Sequence, residues 1–223
     1  MNCNICKAAC VKNGFQANGK QRYRCKACKH SQQANYSYKA CAYNANQSIK
    51  TLLLNSCGIT DISRVLSISR NTIKKRILAM GTQIKRPMVI EVLQSYEMDE
   101  LSVRINGKWC YIAYAINRKT KQVIDFVVGG RTNKNLMRVV NKLLDLNPKC
   151  IYTDGLLCYK TLIPREIHST ARNQTNRIER YHLNLRTHLK RLHRKTICYS
   201  KSLELLSAIL KIYFWHSTEL KTA

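Results

Sequence analysis

Two pairs of cysteines near the start of the chain place the strongest constraint on its fold. Cys3 and Cys6 form one Cys-x2-Cys pair, and Cys25 and Cys28 form a second pair after eighteen intervening residues. This spacing is typical of two knuckles whose four thiolates enclose one structural zinc ion. The segment has too few apolar residues to fold without a metal. The sequence therefore predicts a zinc ribbon-like module over residues 1–45, in which Cys10 is a spare thiol that could replace Cys6.

The remaining composition favours a reduced, intracellular setting. The chain has 11 cysteines, an odd number, and Met1 leads directly into the first cysteine pair instead of into a secretory leader. A disulfide framework is therefore not expected. No apolar run reaches the roughly 18 residues that a membrane-spanning helix needs. We expect a cytoplasmic protein without a membrane partner.

The charge of the chain points to a polyanionic partner. Lys and Arg total 39 against 12 acids, which gives a net charge of +27. Nucleic acid is the simplest partner for such an excess, with an anionic membrane surface as the rival. Residues 1–45 hold eight cations and no acid, so the predicted zinc module can contact DNA, with Arg22 and Arg24 as candidate contacts. The alternative is a zinc module that binds protein or only spaces domains.

Residues 46–86 carry three short helical patterns. The first spans Gln47–Asn55, and Thr60 is the expected cap of the second. The third spans Arg70–Met80, with Ser69 as its cap and Gly81 as its end. Two short helices joined by a tight turn are the pattern of a helix-turn-helix DNA-binding domain. The plain alternative is a three-helix packing unit with a solvated basic face.

The outward face of the third helix carries the candidate DNA contacts of this domain. Its residue types suit the phosphates and base edges of a major groove. They are Arg70, Asn71, Lys74 and Lys75. Together with the zinc module and the net charge, they favour double-stranded DNA as the partner.

After Pro87 the pattern changes from helices to strands, which predicts a third domain over residues 87–223. A first strand is expected within residues 89–102, ending near Asp99 and Glu100. Further strands are expected at 109–116, 123–128 and 150–153 and near Ile167, and helices at 135–144, 156–162 and 202–215. This order predicts a mixed sheet in an α/β domain.

A long helix is predicted over Asn173–Lys195, because neither Gly nor Pro interrupts its apolar stripe. Asn173 or Thr175 can cap its start. Glu179 lies beside the stripe and is the only acid between residues 168 and 202. Taken alone, it could be an exposed residue that balances neighbouring cations.

Two aspartates upstream give Glu179 a second interpretation. Asp99 and Asp154 each follow an expected strand, so the three acids can converge on one side of the sheet. Carboxylate oxygens suit Mg²⁺ or Mn²⁺, and a pair of such ions can clamp a phosphodiester for cleavage. Glu100 could point at the site in place of Asp99, because neighbours on a strand face opposite ways. Asp125 could be a fourth participant or a surface residue.

Short segments around these acids resemble the transposases of the insertion-sequence 1 family. They are MDE at 98–100, YTDG at 152–155 and NRIER at 176–180, followed by YHLNLRTHLKRLHRK. The resemblance covers nearly the whole chain and implies zinc knuckles, a helix-turn-helix and a catalytic domain similar to ribonuclease H. It also implies a DDE catalytic triad that binds magnesium, with a cation seven residues after the Glu. The matching residues are Asp99, Asp154, Glu179 and Arg186.

The resemblance implies a DNA transposase that acts at the nucleoid. Such an enzyme would bind the terminal inverted repeats of an insertion sequence and catalyse metal-dependent strand cleavage and strand transfer. Pairing of two element ends would require a homodimer or a higher oligomer. One rival is a related nuclease that cleaves without strand transfer. The other is a sequence-specific DNA-binding regulator whose catalytic half is inactive.

Overall fold

The chain divides into two compact units in a computed structural model that describes residues 1–88, 92–171 and 173–215. The first unit comprises residues 1–45, and the second begins at Asn46. The expected strand start at residues 89–91 lies outside the described residues. A three-stranded sheet belongs to the first unit, and a five-stranded sheet with its helices belongs to the second.

The first unit is a small antiparallel sheet with almost no apolar core. Its strands are β1 (Cys10–Phe15), β2 (Gln21–Cys25) and β3 (Ser31–Gln33), in that spatial order. A single 3-10 turn follows at Lys39–Cys41. The buried apolar side chains are few, and two of them are the cysteines Cys3 and Cys25. A module with so little apolar burial has to obtain its stability from another source, such as a metal.

Three helices open the second unit, namely α1 (Ala45–Leu54), α2 (Ile59–Leu66) and α3 (Arg70–Gln83). Ser69 caps α3 as expected, since its side chain accepts the backbone N–H of Thr72. The predicted cap of α2 at Thr60 is wrong. That helix begins after Gly58, whose backbone N–H donates to the Asp61 carboxylate at 3.0 Å.

The expected end of α3 at Gly81 is also wrong, because the helix continues to Gln83. Gly81 is buried where α3 crosses a later helix, α7 (Leu203–Trp215). A Cβ atom built on Gly81 would lie 2.6 Å from the Cβ of Ala208. The glycine therefore serves close helix packing instead of helix termination.

The second unit is organised around a five-stranded mixed sheet. Its spatial order is β6-β5-β4-β7-β8, and β4, β5 and β6 are antiparallel neighbours. The two short strands extend the sheet in parallel on the other side of β4. The ranges are β4 (Ser95–Ile105), β5 (Lys108–Asn117), β6 (Val123–Gly129), β7 (Cys150–Tyr152) and β8 (His168–Ser169).

Alternation along β4 separates the two faces of this sheet. Met98 faces the main apolar core, where α4 (Asn133–Leu144) and α5 (Leu157–Leu162) pack. Its neighbours Glu97 and Asp99 face the opposite side, where α6 (Asn176–His188) packs on β4 and α7 packs on β6. One face of the sheet is thus an ordinary core, and the other presents carboxylates to a helix.

Two further boundaries differ from the predictions. Asp99 lies in the middle of β4 and not at its end, because antiparallel pairing with β5 continues to Ile105. The long helix predicted over 173–195 is shorter, since α6 ends at His188 and a 3-10 turn follows at Lys190–Leu192. Leu189 and Leu192 are still buried, so the apolar stripe continues although the helix does not.

Candidate active site

The register of the sheet brings Asp99 and Asp154 together. Parallel pairing of β4 with β7 matches Glu97 with Tyr152, an offset of 55 residues. The same offset separates Asp99 from Asp154, and carboxylate oxygens of the two lie within 4.8 Å of each other. Asp154 follows the end of β7, and its carboxylate accepts the backbone N–H of Leu156 at 3.1 Å. That bond fixes the side chain in the turn that leads into α5.

Glu100 joins these two aspartates in one acid group. Ligand oxygens of Asp99, Glu100 and Asp154 all lie within 4.8 Å of one another. One Glu100 oxygen pairs with Arg131 at 3.2 Å, and its Oε2 is buried without a hydrogen-bond partner among the described residues. The sequence pattern offers Glu100 only as an alternative to Asp99, whereas the structure brings both acids into one group. Asp99 also accepts a hydrogen bond from the backbone N–H of Glu100 at 2.7 Å.

Burial and neighbouring negative charge both raise the pKa of Asp99. Burial raises the pKa of Asp99 to about 7, although the backbone N–H of Glu100 opposes that rise. The charges of Asp154, Glu100 and Glu179 raise the pKa of Asp99 further. Burial and mutual repulsion disfavour the ionised form of these acids, and a bound cation would stabilise that form.

The polar side of helix α6 packs against the same part of β4. Glu179 is exposed in its first turn, outside the tight acid group, and accepts the Thr175 hydroxyl at 3.1 Å. His182 Nδ1 lies 3.7 Å from Asp99 Oδ2, and burial lowers the pKa of His182 to about 4, so its ring is neutral at pH 7. Arg186, one turn later, has a buried Nε without a hydrogen-bond partner in the described structure.

Glu97 is the site residue that sequence reasoning missed. Its side chain is fully buried. The carboxylate accepts hydrogen bonds from the Nε of Arg118 and from the backbone N–H of Ile178, each at 2.9 Å. Arg177 adds a third donor at 3.2 Å. The carboxylate therefore ties the first turn of α6 to β4. The signal available in the sequence was its position two residues before Asp99, which puts both side chains on one face.

The Arg118 guanidinium extends this anchor to the neighbouring strand. It lies over the ring of Tyr152 at 4.0 Å and donates to the Gln174 side chain at 2.9 Å. Tyr152 is the last residue of β7, two positions before Asp154. One buried ion pair thus connects the strands that carry both aspartates with the helix that carries Glu179.

The acid group has the chemistry of a divalent-cation site. Oxygens that share one Mg²⁺ lie at most about 4.2 Å apart, since each bond is about 2.1 Å. The three acids come within 4.8 Å without an ion, and the unpartnered Glu100 oxygen adds a free acceptor. Asp125 does not belong to the group, because it lies on β6 and pairs with Arg86 at 2.8 Å. The acid group can therefore bind Mg²⁺ or Mn²⁺.

A second candidate metal centre lies in the first unit. The sulfurs of Cys3, Cys6, Cys25 and Cys28 all lie within 4.8 Å of one another. The distances are 3.5 Å from Cys3 to Cys28 and 3.4 Å from Cys6 to Cys25. A zinc tetrahedron with bonds of about 2.3 Å has sulfur–sulfur edges of about 3.8 Å, so the four thiols fit zinc closely.

Local hydrogen bonds favour the thiolate form, which zinc binds, at Cys3 and Cys25. At Cys28 the His30 backbone N–H also lowers the pKa, but burial and the neighbouring thiols raise it to about 12 overall. The backbone N–H of Cys6 lowers the pKa of the Cys3 thiol to about 6, against the opposing effect of burial. The backbone N–H of Cys28 likewise lowers the pKa of Cys25. Cys10 is not part of this group, and its Sγ instead donates to the Ala8 carbonyl at 3.9 Å. The observed group therefore contains Cys6.

The candidate DNA contacts belong to both units. On α3 the four predicted residues are all exposed, while Ile73 and Ile77 of the same helix are buried. These exposed residues are Arg70, Asn71, Lys74 and Lys75. In the first unit Arg24 is exposed, whereas Arg22 is half-buried and donates to the Asn13 carbonyl at 3.0 Å. Arg22 therefore has a structural bond within its own sheet.

Comparison with known proteins assigns the chain to a family. A family model described as IS1 transposase matches residues 92–218, which is more than half of the chain. The chain belongs to the IS1 transposase family. The match spans the sheet and helices that carry the acid group, and the predicted mixed sheet is confirmed. In this IS1-family chain, the sheet with its helices fits a ribonuclease H-like catalytic domain.

Individual relatives agree with this assignment. Insertion element IS1 4 protein InsB of Escherichia coli (strain K12) is 36% identical over 127 residues, or 55% of this chain and 75% of that protein. Insertion element IS1 protein InsB of Haemophilus ducreyi is 35% identical over 127 residues, with the same shares.

One solved structure is similar at a lower level. It is the cryo-EM structure of the simian T-cell lymphotropic virus intasome in complex with PP2A regulatory subunit B56 gamma. The similarity has a TM-score of 0.39 and 13% identity, and covers 73% of this chain and 66% of that chain. At this level it supports no conclusion about this IS1-family chain. Separately, no described helix has the length and apolarity needed to cross a membrane.

Proposed function

We propose that this chain is a DNA transposase of the DDE type. It would bind the terminal inverted repeats of an insertion sequence, cleave DNA strands in a metal-dependent reaction and join the freed ends to a target. The observation that carries the proposal is the closeness of Asp99 and Asp154, whose carboxylate oxygens lie within 4.8 Å of each other. Membership of the IS1 transposase family supports the same chemistry.

Each proposed active-site residue has a separate role. Asp99 and Asp154 would hold a divalent ion, and Glu179 would complete the site from the first turn of α6. Bound Mg²⁺ or Mn²⁺ would supply the Lewis acid that activates water or a 3′-hydroxyl and stabilises the leaving oxygen. The Glu100 and Leu156 backbone N–H groups orient the two aspartates.

Arg186 is the proposed phosphate contact beside the acids. It lies seven residues after Glu179, about two helical turns along α6, and its buried Nε has no hydrogen-bond partner among the described residues. A DNA phosphate bound by the partly exposed end of this guanidinium would bring the scissile backbone near the acids. His182 lies 3.7 Å from Asp99 and, since burial lowers its pKa to about 4, adds no charge of its own at pH 7.

The remaining parts of the chain would recognise DNA. We assign residues 1–45 to a zinc-binding DNA-contact module held by Cys3, Cys6, Cys25 and Cys28, residues 46–86 to a helix-turn-helix and residues 87–223 to catalysis. The exposed cations of α3 and the net charge of +27 support DNA as the partner. The proposed active form is a homodimer or higher oligomer that pairs two element ends at the nucleoid of the cytoplasm.

The triad is tested by removing one charge at a time. Glu179→Gln keeps size and hydrogen bonding but removes the charge that a divalent ion needs. In an assay with purified protein, Mg²⁺ and DNA carrying the element's own ends, this variant should bind DNA normally but fail to nick or join it. Asp99→Asn and Asp154→Asn should do the same, and combining them should add little because they act as a unit.

Two controls make the test decisive. Glu204→Ala removes an exposed acid on α7 and should retain activity. Glu100→Gln separates the acid that lies in the tight group from Glu179, which does not. If Glu100→Gln abolishes nicking while Glu179→Gln does not, then the third ligand is Glu100 and the proposed triad is incorrect. Nicking without joining by the unmodified protein would favour the nuclease, and absence of both would favour the DNA-binding regulator.

A further inference from the structure

A cavity lies at the far end of the β4–β5 hairpin, away from the acid group. Its volume is about 780 Å³, within the roughly 300–1,000 Å³ typical of ligand sites. One wall is the hairpin near Gly107, and the other is the segment from Arg191 to Tyr199 that follows α6. The two walls are joined, since the Asn106 backbone N–H donates to the Ser200 carbonyl at 3.0 Å.

The lining of this cavity is cationic and contains no carboxylate among the described residues. Its cationic side chains are Arg104, Arg191, Arg194 and Lys195, with His193 beside them. Arg191 is only partly exposed, and burial lowers the pKa of its guanidinium. No acid lies within 4.0 Å of it in the described structure, so it is a partly desolvated cation without a counter-ion. Such a group favours binding of an anion.

Two aromatic side chains stand at the rim of the same cavity. Trp109 is 59% exposed and Tyr199 is 43% exposed, although both are large apolar groups. Arg104 lies over the Trp109 ring at 4.7 Å, opposite it in the strand register, which holds the indole in place. A fixed, exposed indole next to four cations provides both a stacking surface for a base and contacts for a phosphate.

We propose that this cavity binds unpaired nucleotides of a DNA strand. Bases would stack on Trp109 and Tyr199, while Arg191, Arg194 and Lys195 contact the phosphates. A paired duplex is disfavoured, because its base faces are already covered by stacked neighbours and only its edges and backbone are free. Arg104 lies five residues beyond Asp99 on β4, or roughly 17 Å along the strand.

The inference deepens the proposed DNA chemistry of the second unit, but its test is independent of catalysis. The full-length protein is titrated with oligodeoxythymidylate of about ten nucleotides, without Mg²⁺. Tryptophan fluorescence and anisotropy of a labelled strand are both followed. Trp215 is 7% exposed and donates its indole N–H to the Val123 carbonyl, so quenching by a bound strand reports on Trp109.

The expected result is quenching on binding, with affinity at least about fivefold lower for Trp109→Ala and within about twofold for Trp109→Phe. Arg194→Ala and Lys195→Ala, both exposed positions, should each reduce the slope of log affinity against log salt by about 0.7. Lys119→Ala removes one exposed charge beyond the opposite end of β5, and its affinity for the unpaired strand should stay close to that of the unmodified protein.

Either of two results would overturn the inference. One is an unchanged affinity of Trp109→Ala for the unpaired strand. The other is a duplex of the same length that binds as tightly and loses as much affinity in Trp109→Ala. Failure of the proposed function looks different, because Mg²⁺-dependent nicking would then be absent while binding of the unpaired strand and its dependence on Trp109 persist.

Discussion

At the scale of single residues, Glu97 has the most demanding environment in the candidate site. It is a carboxylate with no solvent exposure, yet it lies two residues from another carboxylate, Asp99, on the same face of β4. Three donors compensate its desolvation, namely Arg118, Arg177 and the Ile178 backbone N–H. Because two of these donors, Arg177 and the Ile178 backbone N–H, belong to the first turn of α6, the same bonds that satisfy Glu97 also fix the helix that carries Glu179.

Removing this carboxylate should destabilise the second unit. Glu97→Ala leaves the Arg118 guanidinium without its partner at 2.9 Å, and breaking a buried pair costs about 3–5 kcal/mol. Glu97→Gln keeps one acceptor and should cost about 1–3 kcal/mol. Urea unfolding measures both. Glu204→Ala, an exposed acid, should stay within about 0.5 kcal/mol of the unmodified protein. A Glu97→Gln protein as stable as this control would show that the anchor contributes nothing.

At the scale of elements, the contact of α3 with α7 joins the first helices of the second unit to its sheet. Helix α7 also packs on β6, where Phe214 contacts Phe126 at 5.2 Å between ring centroids. The helices can approach closely because Gly81 has no side chain at the crossing. The candidate DNA-contact helix is therefore built into the same packed unit as the acid group.

Replacing Gly81 tests this crossing. Helix propensity alone would make Gly81→Ala stabilising by about 1 kcal/mol. The new Cβ would however lie 2.6 Å from the Ala208 Cβ and 2.8 Å from its Cα, so the helices must separate. We expect a net loss of about 1–3 kcal/mol by thermal or urea unfolding. Adding Ala208→Gly should recover part of that loss, whereas an increase in stability in Gly81→Ala alone would contradict the close packing.

The four-cysteine group makes a separate prediction for the first unit. Elemental analysis of the purified chain should find about one zinc per molecule. Cys3→Ser should abolish this zinc, because Cys3 belongs to the group and lies in the scarce core of the unit. Cys10→Ser is the matched control, since Cys10 lies outside the group, and it should retain the metal. Equal zinc content in the two variants would show that these thiols are not the ligands.

At the scale of the whole molecule, a net charge of +27 coexists with an acidic site. The two are compatible because they occupy different places. Exposed cations lie on α3, while the acid group lies on β4 and directly after β7. Long-range attraction would concentrate the chain on DNA, and a divalent ion would neutralise the acids where a phosphate approaches. Binding and catalysis should therefore be separable by mutation.

A triple variant of α3 tests this separation. Arg70→Ala, Asn71→Ala and Lys74→Ala together should weaken binding to element ends and lower the salt slope by about 2, since two cations are lost. The fold should be retained, because all three side chains are exposed. Filter binding at several salt concentrations measures the effect. Lys119→Ala with Lys134→Ala removes the same charge elsewhere on the exposed surface, and should preserve preference for the ends. Unchanged end binding in the triple variant would exclude α3 from the interface.

The sequence by itself determined the parts of this protein that depend on local pattern. Cysteine spacing predicted the four thiols that lie together in the structure. Alternating apolar residues indicated the strands, and the separation of Asp99 from Asp154 equals the register offset of β4 and β7. These features follow from chain geometry over short distances, because side-chain direction repeats every two residues in a strand.

Only the tertiary structure decided which acids are buried, paired or exposed. Glu97, Glu100 and Glu179 look alike in sequence, yet one is a buried anchor, one joins the aspartates and one lies outside their tight group. Likewise the sequence pattern predicted a helix end at Gly81, whereas this residue lies where two helices cross. The reason is that burial and charge pairing depend on elements far apart in the chain, such as β4 with α6 and α3 with α7, and local periodicity carries no information about those contacts.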